Sequence, residues 1–235
     1  MIPSAQYVEI EKPSERTAGG DLYSLLSELL ARNSKNLDSL HTRGSVLFAE
    51  GEPARGVYLL RSGRATVSIS SSEGRVVILR MAQAGDVLGL NAAVRNSTHE
   101  ATVKILEPSR LKFISRAELM EVMENSDGGA GAVISFLGQE LTQLTERARS
   151  LLLPQTVSAR LAQLLLQCSK DTHGTNSRRV IDRVFTHEEV AQMICSSRET
   201  VTRLLARMSR SNIVRITSDT ILIRDCAALE TMALG

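Results

Sequence analysis

The stretch Phe185 to Arg203, F-T-H-E-E-V-A-Q-M-I-C-S-S-R-E-T-V-T-R, leaves fewer folding options than any other part of this chain. Thr186 followed three residues later by Glu189 is a capping-box pattern, in which hydroxyl and carboxylate each satisfy a backbone donor at a helix start. It predicts a helix from His187 to about Ile194. Ser197 suits the N-cap of a second helix that runs through about Arg210. Only a tight turn fits between them, so the segment reads as a helix-turn-helix.

The second helix opens with Arg198, Glu199, Thr202 and Arg203. An arginine fork matches the O6 and N7 acceptors of guanine, and a glutamate accepts from the N4 amine of cytosine. These groups at a helix N-terminal end suit the major groove of double-stranded DNA, with Thr202 on the exposed side in reach of a base edge or phosphate. Thr186 and Ser197 complete the candidate DNA-binding set. Charge points the same way. From Pro154 onward there are 11 Lys+Arg against 8 Asp+Glu, whereas the rest of the chain has 17 against 18. Five arginines (198, 203, 207, 210 and 215) but one acid, Glu199, lie between Cys195 and Arg215. Such a basic face supplies the salt-sensitive phosphate contribution to binding. On their own these arginines would suit a solvated helix face better than a DNA contact.

At 235 residues and 43% hydrophobic, the chain has length and apolar content for two domains. No apolar run approaches the roughly 18 residues that span a bilayer. Met1 to Glu9 has neither a basic start nor an apolar core, so no secretion signal is expected. Cys168, Cys195 and Cys226 form no C-x-x-C pair; three cysteines without a signal imply a reducing cytoplasm and buried, inert thiols. The histidines (His41, His99, His173, His187) show no metal-ligand spacing, and no metal site is expected. No nucleophile–base pair, P-loop or dinucleotide fingerprint points to an enzyme.

Residues 44 to 115 carry short β-branched runs broken by glycines. Val57–Leu60, Ala65–Ile69, Val76–Leu79, Ala101–Ile105 and Arg110–Ile114 each suit a strand, and their spacing suggests a small barrel or jelly roll. Helices are expected near Asp21 to Arg32 and Ser115 to Asn125. The period then changes: Ile134, Leu137, Leu141, Leu144, Ala148 and Leu151 recur at spacings of 3, 4, 3, 4 and 3. That is an a/d seam, suited to pairing with a second copy of the helix, or else to packing on its own domain. Pro154 makes a hinge. Thr156 to Lys170 reads as an amphipathic helix, Asp171 to Ser177 as a loop, and Ile213 to Ile223 as a β-hairpin turning at Ser218–Asp219, a wing beside the helix-turn-helix.

The motifs G-x-V-L-F-x-E-G-E, Y-L-L-R-S-G-R-A-T-V and A-G-D-V-L-G, then A-R-L-A-Q-L-L, T-H-E-E-V-A-Q and R-E-T-V-T-R, follow one another in this chain. Their order and spacing resemble the cyclic-AMP receptor protein / fumarate-nitrate reduction regulator (CRP/FNR) family over roughly residues 22 to 232. The resemblance implies an α+β chain. Its parts would be a flexible arm (1–21), a cyclic-nucleotide-binding-like jelly roll (22–125), a dimerisation helix (126–153) and a winged helix-turn-helix (154–235). It implies a cytoplasmic homodimer that regulates transcription at inverted repeats, with RNA polymerase as a further partner. Arg198, Glu199 and Arg203 match the base-reading residues of the cyclic-AMP receptor type, and Arg198 is not shared with the oxygen-sensing branch. In the turn, where the family has glycine, this chain has Cys195.

The effector pocket departs further. The family pattern G-E-x-A-L, then R-S/T-A, places an acid on the ribose and an arginine on the cyclic phosphate. Here the stretches are Gly89-Leu90-Asn91-Ala92-Ala93 and Glu100-Ala101-Thr102, so Leu90 replaces the acid and Glu100 the arginine. A like charge at ~4 Å costs about 4 kcal/mol at an effective dielectric near 20. Cyclic AMP is therefore not the expected effector, and another small molecule or none stays open. The branch that carries an iron–sulfur cluster has N-terminal cysteines that this chain lacks. A haem would need His41 or His99. The alternative function is a cyclic-nucleotide-binding signalling module acting on protein partners.

Overall fold

The computed structural model describes residues 20–32, 38–152, 156–171, 179–182, 185–217 and 220–234. The predicted arm (but for its last two residues), the hinge at Pro154, most of the 171–177 loop and the turn at Ser218–Asp219 lie outside these residues. Helix α1 (Gly20–Arg32) precedes β1 (Ser39–His41), β2 (Val46–Phe48), β3 (Gly56–Ser62), β4 (Arg64–Ser70), β5 (Val76–Gln83) and β6 (Val87–Leu88). A short helix α2 (Leu90–Arg95) separates these from β7 (Thr102–Ile105) and β8 (Ser109–Ser115). The strands form two antiparallel sheets, β1-β8-β3-β6 and β2-β7-β4-β5.

Side chains from both sheets meet in one core that includes Phe48, Leu60, Ala65, Leu88, Val103, Ile105 and Leu111. The period-2 alternation of β3 sends Leu60 inward and Val57 and Leu59 outward, under α1 and the helices that follow the barrel. Burial on both faces explains why this strand reads as a continuous apolar run. Gly63, at the β3–β4 turn, has φ of 92°, and a Cβ there would lie 2.1 Å from the hydroxyl of Ser109. The turn therefore admits only glycine.

Ser115 and Glu118 form a capping box that starts α3 (Arg116–Asn125). The next helix, α4 (Gly129–Leu152), spans 24 residues or about 36 Å. Its first turns bury Ala132, Val133 and Phe136 on the barrel-side core. Leu137 is half-buried against the same core, so it is shared with its own domain. Ile134, Leu141 and Leu144 are 70%, 66% and 44% exposed, and Ala148 is exposed. The side chain of Leu151 lies outside the described residues.

The C-terminal part runs α5 (Val157–Cys168), β9 (Lys170–Asp171), β10 (Arg179–Asp182), α6 (His187–Met193), α7 (Arg198–Arg210), β11 (Val214–Ile216), β12 (Thr220–Ile223) and α8 (Cys226–Leu234). The two-stranded wing expected from sequence is part of an antiparallel sheet of order β11-β12-β10-β9. Asp171, expected in a loop, belongs to β9. Helix α8, which periodicity did not signal, packs Leu229 and Ala233 into the C-terminal core, and Gln163 Nε2 donates to Ala233 O at 2.8 Å.

Strand β5 joins the two halves. Ile78 is 3% exposed and sits in the C-terminal core with Met193 and Ile194, with Met81 packed beside it. Arg147 of α4 donates through Nη2 to the carbonyls of Ile78 (3.1 Å) and Met193. Arg160 Nε donates to Ile194 O at 2.9 Å. Two guanidiniums thus meet the last carbonyls of α6, the negative end of its dipole. Burial holds the Arg147 guanidinium below its ordinary pKa.

Candidate functional site

Helix α7 is amphipathic: Val201, Leu204, Leu205 and Met208 point inward at helical spacing, whereas Arg198, Glu199, Thr202, Arg203, Arg207 and Arg210 are exposed. The Ser197 hydroxyl accepts from Thr200 N at 3.2 Å and starts the helix. The Thr186–Glu189 box forms in α6, with Glu189 N donating to Thr186 Oγ1 (3.2 Å) and Thr186 N to Glu189 Oε2 (2.7 Å). Glu199 curls over the start of α7, where its own backbone N–H and the Ser197 hydroxyl hold its carboxyl below the ordinary range. It is an acceptor at neutral pH, as reading a cytosine amine requires. Arg198 and Arg203 share its end of the helix. Thr202 is less free than its exposure suggests, because its hydroxyl donates to Arg198 O at 2.9 Å. His187 Nδ1 lies 2.9 Å from Thr202 Oγ1 and ties the first turn of α6 to α7. Sequence reading missed His187 because its partner stands 15 residues away.

The turn between the helices keeps the left-handed residue that ends α6. Cys195 has φ of 49°, and Ser196 N reaches back to Ala191 O at 2.9 Å, closing a Schellman-type cap. A residue with a Cβ is strained there by about 1 kcal/mol or more. The thiol is exposed, which corrects the expectation that all three cysteines are buried: the cap turns the side chain at this position away from the core. Cys168 and Cys226 are half-buried, and burial pushes the Cys168 thiol up to about 11.

The candidate effector residues border a cavity of about 170 Å³ between the barrel and α4. Gly89, Leu90, Asn91, Glu100 and Ala101 line it. Ala92 does not: it is fully buried, because α2 rotates it away from the cavity. Gly89 has φ of 81°, and a Cβ on it would stand 2.9 Å from His99 Cε1, so glycine lets the two segments close. The His99 ring is buried and stacks on Phe48 at 3.7 Å between centroids; burial lowers its pKa, which favours the neutral form. Glu100 Oε1 accepts from Asn91 Nδ2 (2.7 Å) and Arg95 Nη1 (3.3 Å).

The other walls come from residues that the motif did not indicate: Arg80 and Leu79 from β5, and Glu140 and Leu144 from α4. A bulge in β5, opposite Val67–Ser68, brings Leu79 and Arg80 to the cavity together. Arg80 donates from Nη1 to Asp86 Oδ2 (3.1 Å) and from Nη2 to Glu140 Oε1 (2.9 Å), tying barrel to long helix. Burial is the main cause that raises the carboxyls of Asp86 and Glu140 above their ordinary range, with Arg80 opposing it. Among the described residues no group of three or more His, Cys, Asp and Glu could hold a metal ion. No described helix is long and apolar enough to cross a membrane.

Comparison with known proteins matches both halves. The cyclic nucleotide-binding domain family matches residues 41–126, and the Crp-like helix-turn-helix domain family matches residues 159–232. The chain is 22% identical to the anaerobic regulatory protein of Bacillus subtilis (strain 168), over 89% of this chain and 86% of that one. It is 25% identical to a CRP-like cAMP-activated global transcriptional regulator of Mycobacterium tuberculosis (strain CDC 1551 / Oshkosh), over 81% and 85% of the two chains. The structure of FixK2 from Bradyrhizobium japonicum superposes with a TM-score of 0.73 at 20% identity, covering 84% of this chain and 96% of that one.

Proposed function

The chain belongs to the CRP/FNR family of DNA-binding transcription regulators, and within it we propose a homodimer that reads inverted-repeat DNA without using cyclic AMP in the family's usual pose. The observation that carries the DNA reading is the solvent face of α7, where Arg198, Glu199 and Arg203 stand together at the helix start. In this reading Arg198 and Arg203 each take a guanine and Glu199 a cytosine on the opposite strand, favouring TGTGA-like half-sites. Thr186 and Ser197 support the helix ends near the phosphates. Two copies related by a two-fold axis place their recognition helices about one turn of DNA, or 34 Å, apart.

The exposed apolar residues of α4 support the dimer: Ile134 and Leu141 form an apolar stripe in the single chain, which a second α4 would cover. The domains follow the same division, with the barrel as sensor, α4 as dimer helix and residues from 154 onward as DNA reader. The regulator works in the cytoplasm with RNA polymerase as a further partner.

Two features support the exclusion of cyclic AMP. Leu90 is 1% exposed and offers no acceptor to a ribose, and Glu100 is an acid where the family pattern has the phosphate arginine. The cavity of about 170 Å³ also compares with a ~150 Å³ engineered cavity that holds benzene, whereas a cyclic nucleotide has a base, a sugar and a phosphate. A gel-shift titration of the full chain tests the reading. A TGTGA-type inverted repeat should bind about 10³-fold or more tighter than a scrambled duplex; equal affinity for the two overturns it.

A further inference from the structure

The cavity that no longer suits a cyclic nucleotide has a chemistry of its own. Its walls are mainly apolar, with Phe48, Val67, Leu79, Leu88, Val103 and Leu144 among them. Three charged side chains also face it: Arg80, Glu100 and Glu140. Arg80 has both terminal nitrogens on carboxylates, Asp86 at 3.1 Å and Glu140 at 2.9 Å, so its charge is already met within the protein. The acids are used on one oxygen only. Glu140 Oε1 takes the Arg80 bond, and Glu100 Oε1 takes both the Asn91 and Arg95 bonds. Among the described residues no hydrogen bond reaches Oε2 of either glutamate.

Counting the groups that face the space, one guanidinium stands against two carboxylates, with Asp86 and Arg95 balancing each other behind them. The neutral form favoured for His99 adds no positive charge. An anion entering this space meets two acids and an arginine that already has partners. A cation meets two open carboxylate oxygens in a setting where apolar walls reduce screening. The size is that of one ring, since ~150 Å³ accommodates benzene.

From this we infer that the cavity binds a compact, single-ring or branched-aliphatic primary amine as its ammonium ion, the nitrogen held between Glu100 and Glu140 and the apolar body against Leu79, Val67 and Leu144. The two acids come from different elements, Glu100 from the segment before β7 and Glu140 from α4. The bound amine therefore bridges the barrel and the long helix. The inference deepens the reading of this cavity as the effector site of a regulator and rests on it.

Calorimetric titration and thermal melting of the full chain with three isosteric probes test it: 2-phenylethylamine, 2-phenylethanol and phenylacetate. The amine should bind saturably and raise the melting temperature, the alcohol should bind more weakly, and the acid should not bind. Glu100→Gln, at a half-exposed side chain, should weaken the amine by roughly tenfold or more, the loss of one charge-assisted contact. Glu140→Gln should do the same. Overturning results are phenylacetate binding as tightly as the amine, none of the probes binding, or amine affinity unchanged in both variants. DNA binding measured on the same preparation separates the two ideas. Intact selection of an inverted repeat with no amine binding removes this inference alone, whereas loss of DNA selection removes the regulator reading beneath it.

Discussion

Arg147 is the residue whose loss should do most to uncouple the two halves of the chain. It extends from α4, donates to Ile78 O on β5 at 3.1 Å and to Met193 O at the end of α6, and so touches barrel, long helix and helix-turn-helix at one point. Arg147→Met keeps most of the length and the apolar stem but leaves two carbonyls without their charged donor. A hydrogen bond to a charged group is worth about 1.5–3 kcal/mol. Burial of the guanidinium, which lowers its pKa, has already cost part of that, so a net loss of about 2–4 kcal/mol is reasonable for the pair. In a chain of 150–250 residues each kcal/mol moves the melting temperature by about 2–4 °C. Scanning calorimetry of the variant should therefore show a fall of roughly 4–16 °C and two separate transitions, barrel and DNA-binding half. Arg147→Lys, with its charge but no fork, should recover part of the loss. A variant melting within about 1 °C of the parent, in one transition, would refute the argument that this guanidinium docks the halves.

Three further outcomes follow from the same structure. Leu141→Glu, at a position 66% exposed in the single chain, should place like charges on the two-fold seam at a cost of about 3–5 kcal/mol; sedimentation velocity should find monomer, and an unchanged dimer would exclude this seam. Cys195→Gly relieves the left-handed strain at φ of 49° but loosens the unfolded chain, for a net gain of about 0.5–1 kcal/mol in denaturant unfolding; destabilisation would contradict the cap assignment. Cyclic AMP near ~100 μM should give no saturable thermal shift, whereas a stabilisation of about 2–3 kcal/mol at hundredfold excess over its dissociation constant would demand a binding pose that Leu90 and Glu100 do not suggest.

What the sequence disclosed and what it hid divide along contact range. The Thr186–Glu189 box and the Ser197 cap depend on residues three apart, so they were readable directly, and both bonds form. Strands β1, β2 and β6, of two or three residues, gave no strand signal of their own, whereas β3, β4, β5, β7 and β8 were readable as β-branched runs between glycines. Strands β9 and β10 were not, since two and four residues carry no period and their pairing spans the 172–178 segment. Helix α8 is apolar on most sides, so it lacks the amphipathic signature that periodicity detects. The cavity was half legible. Its motif residues stand together in sequence, but Arg80 meets Glu140 across 60 residues and reaches it through a bulge that no pattern announces. The family pattern puts Ala92 in the effector pocket, but the turn of α2 places it in the core instead. Leu137 shows the same limit in α4, where one residue of a regular seam also packs on the barrel.

Whether Arg198, Glu199 and Arg203 read bases from a two-fold dimer is decided by binding selection from randomised duplexes, run in parallel on the parent chain, Arg198→Ala and Arg210→Ala. The parent should select an inverted repeat with TGTGA-like half-sites centred about 34 Å apart. Arg198→Ala should lose about 1–3 kcal/mol per contact and relax selection at one guanine, while Arg210→Ala should weaken all sequences alike. Selection of the same motif by Arg198→Ala and the parent would rule out base reading by Arg198, and selection of no repeat by any of the three would rule out the two-fold arrangement.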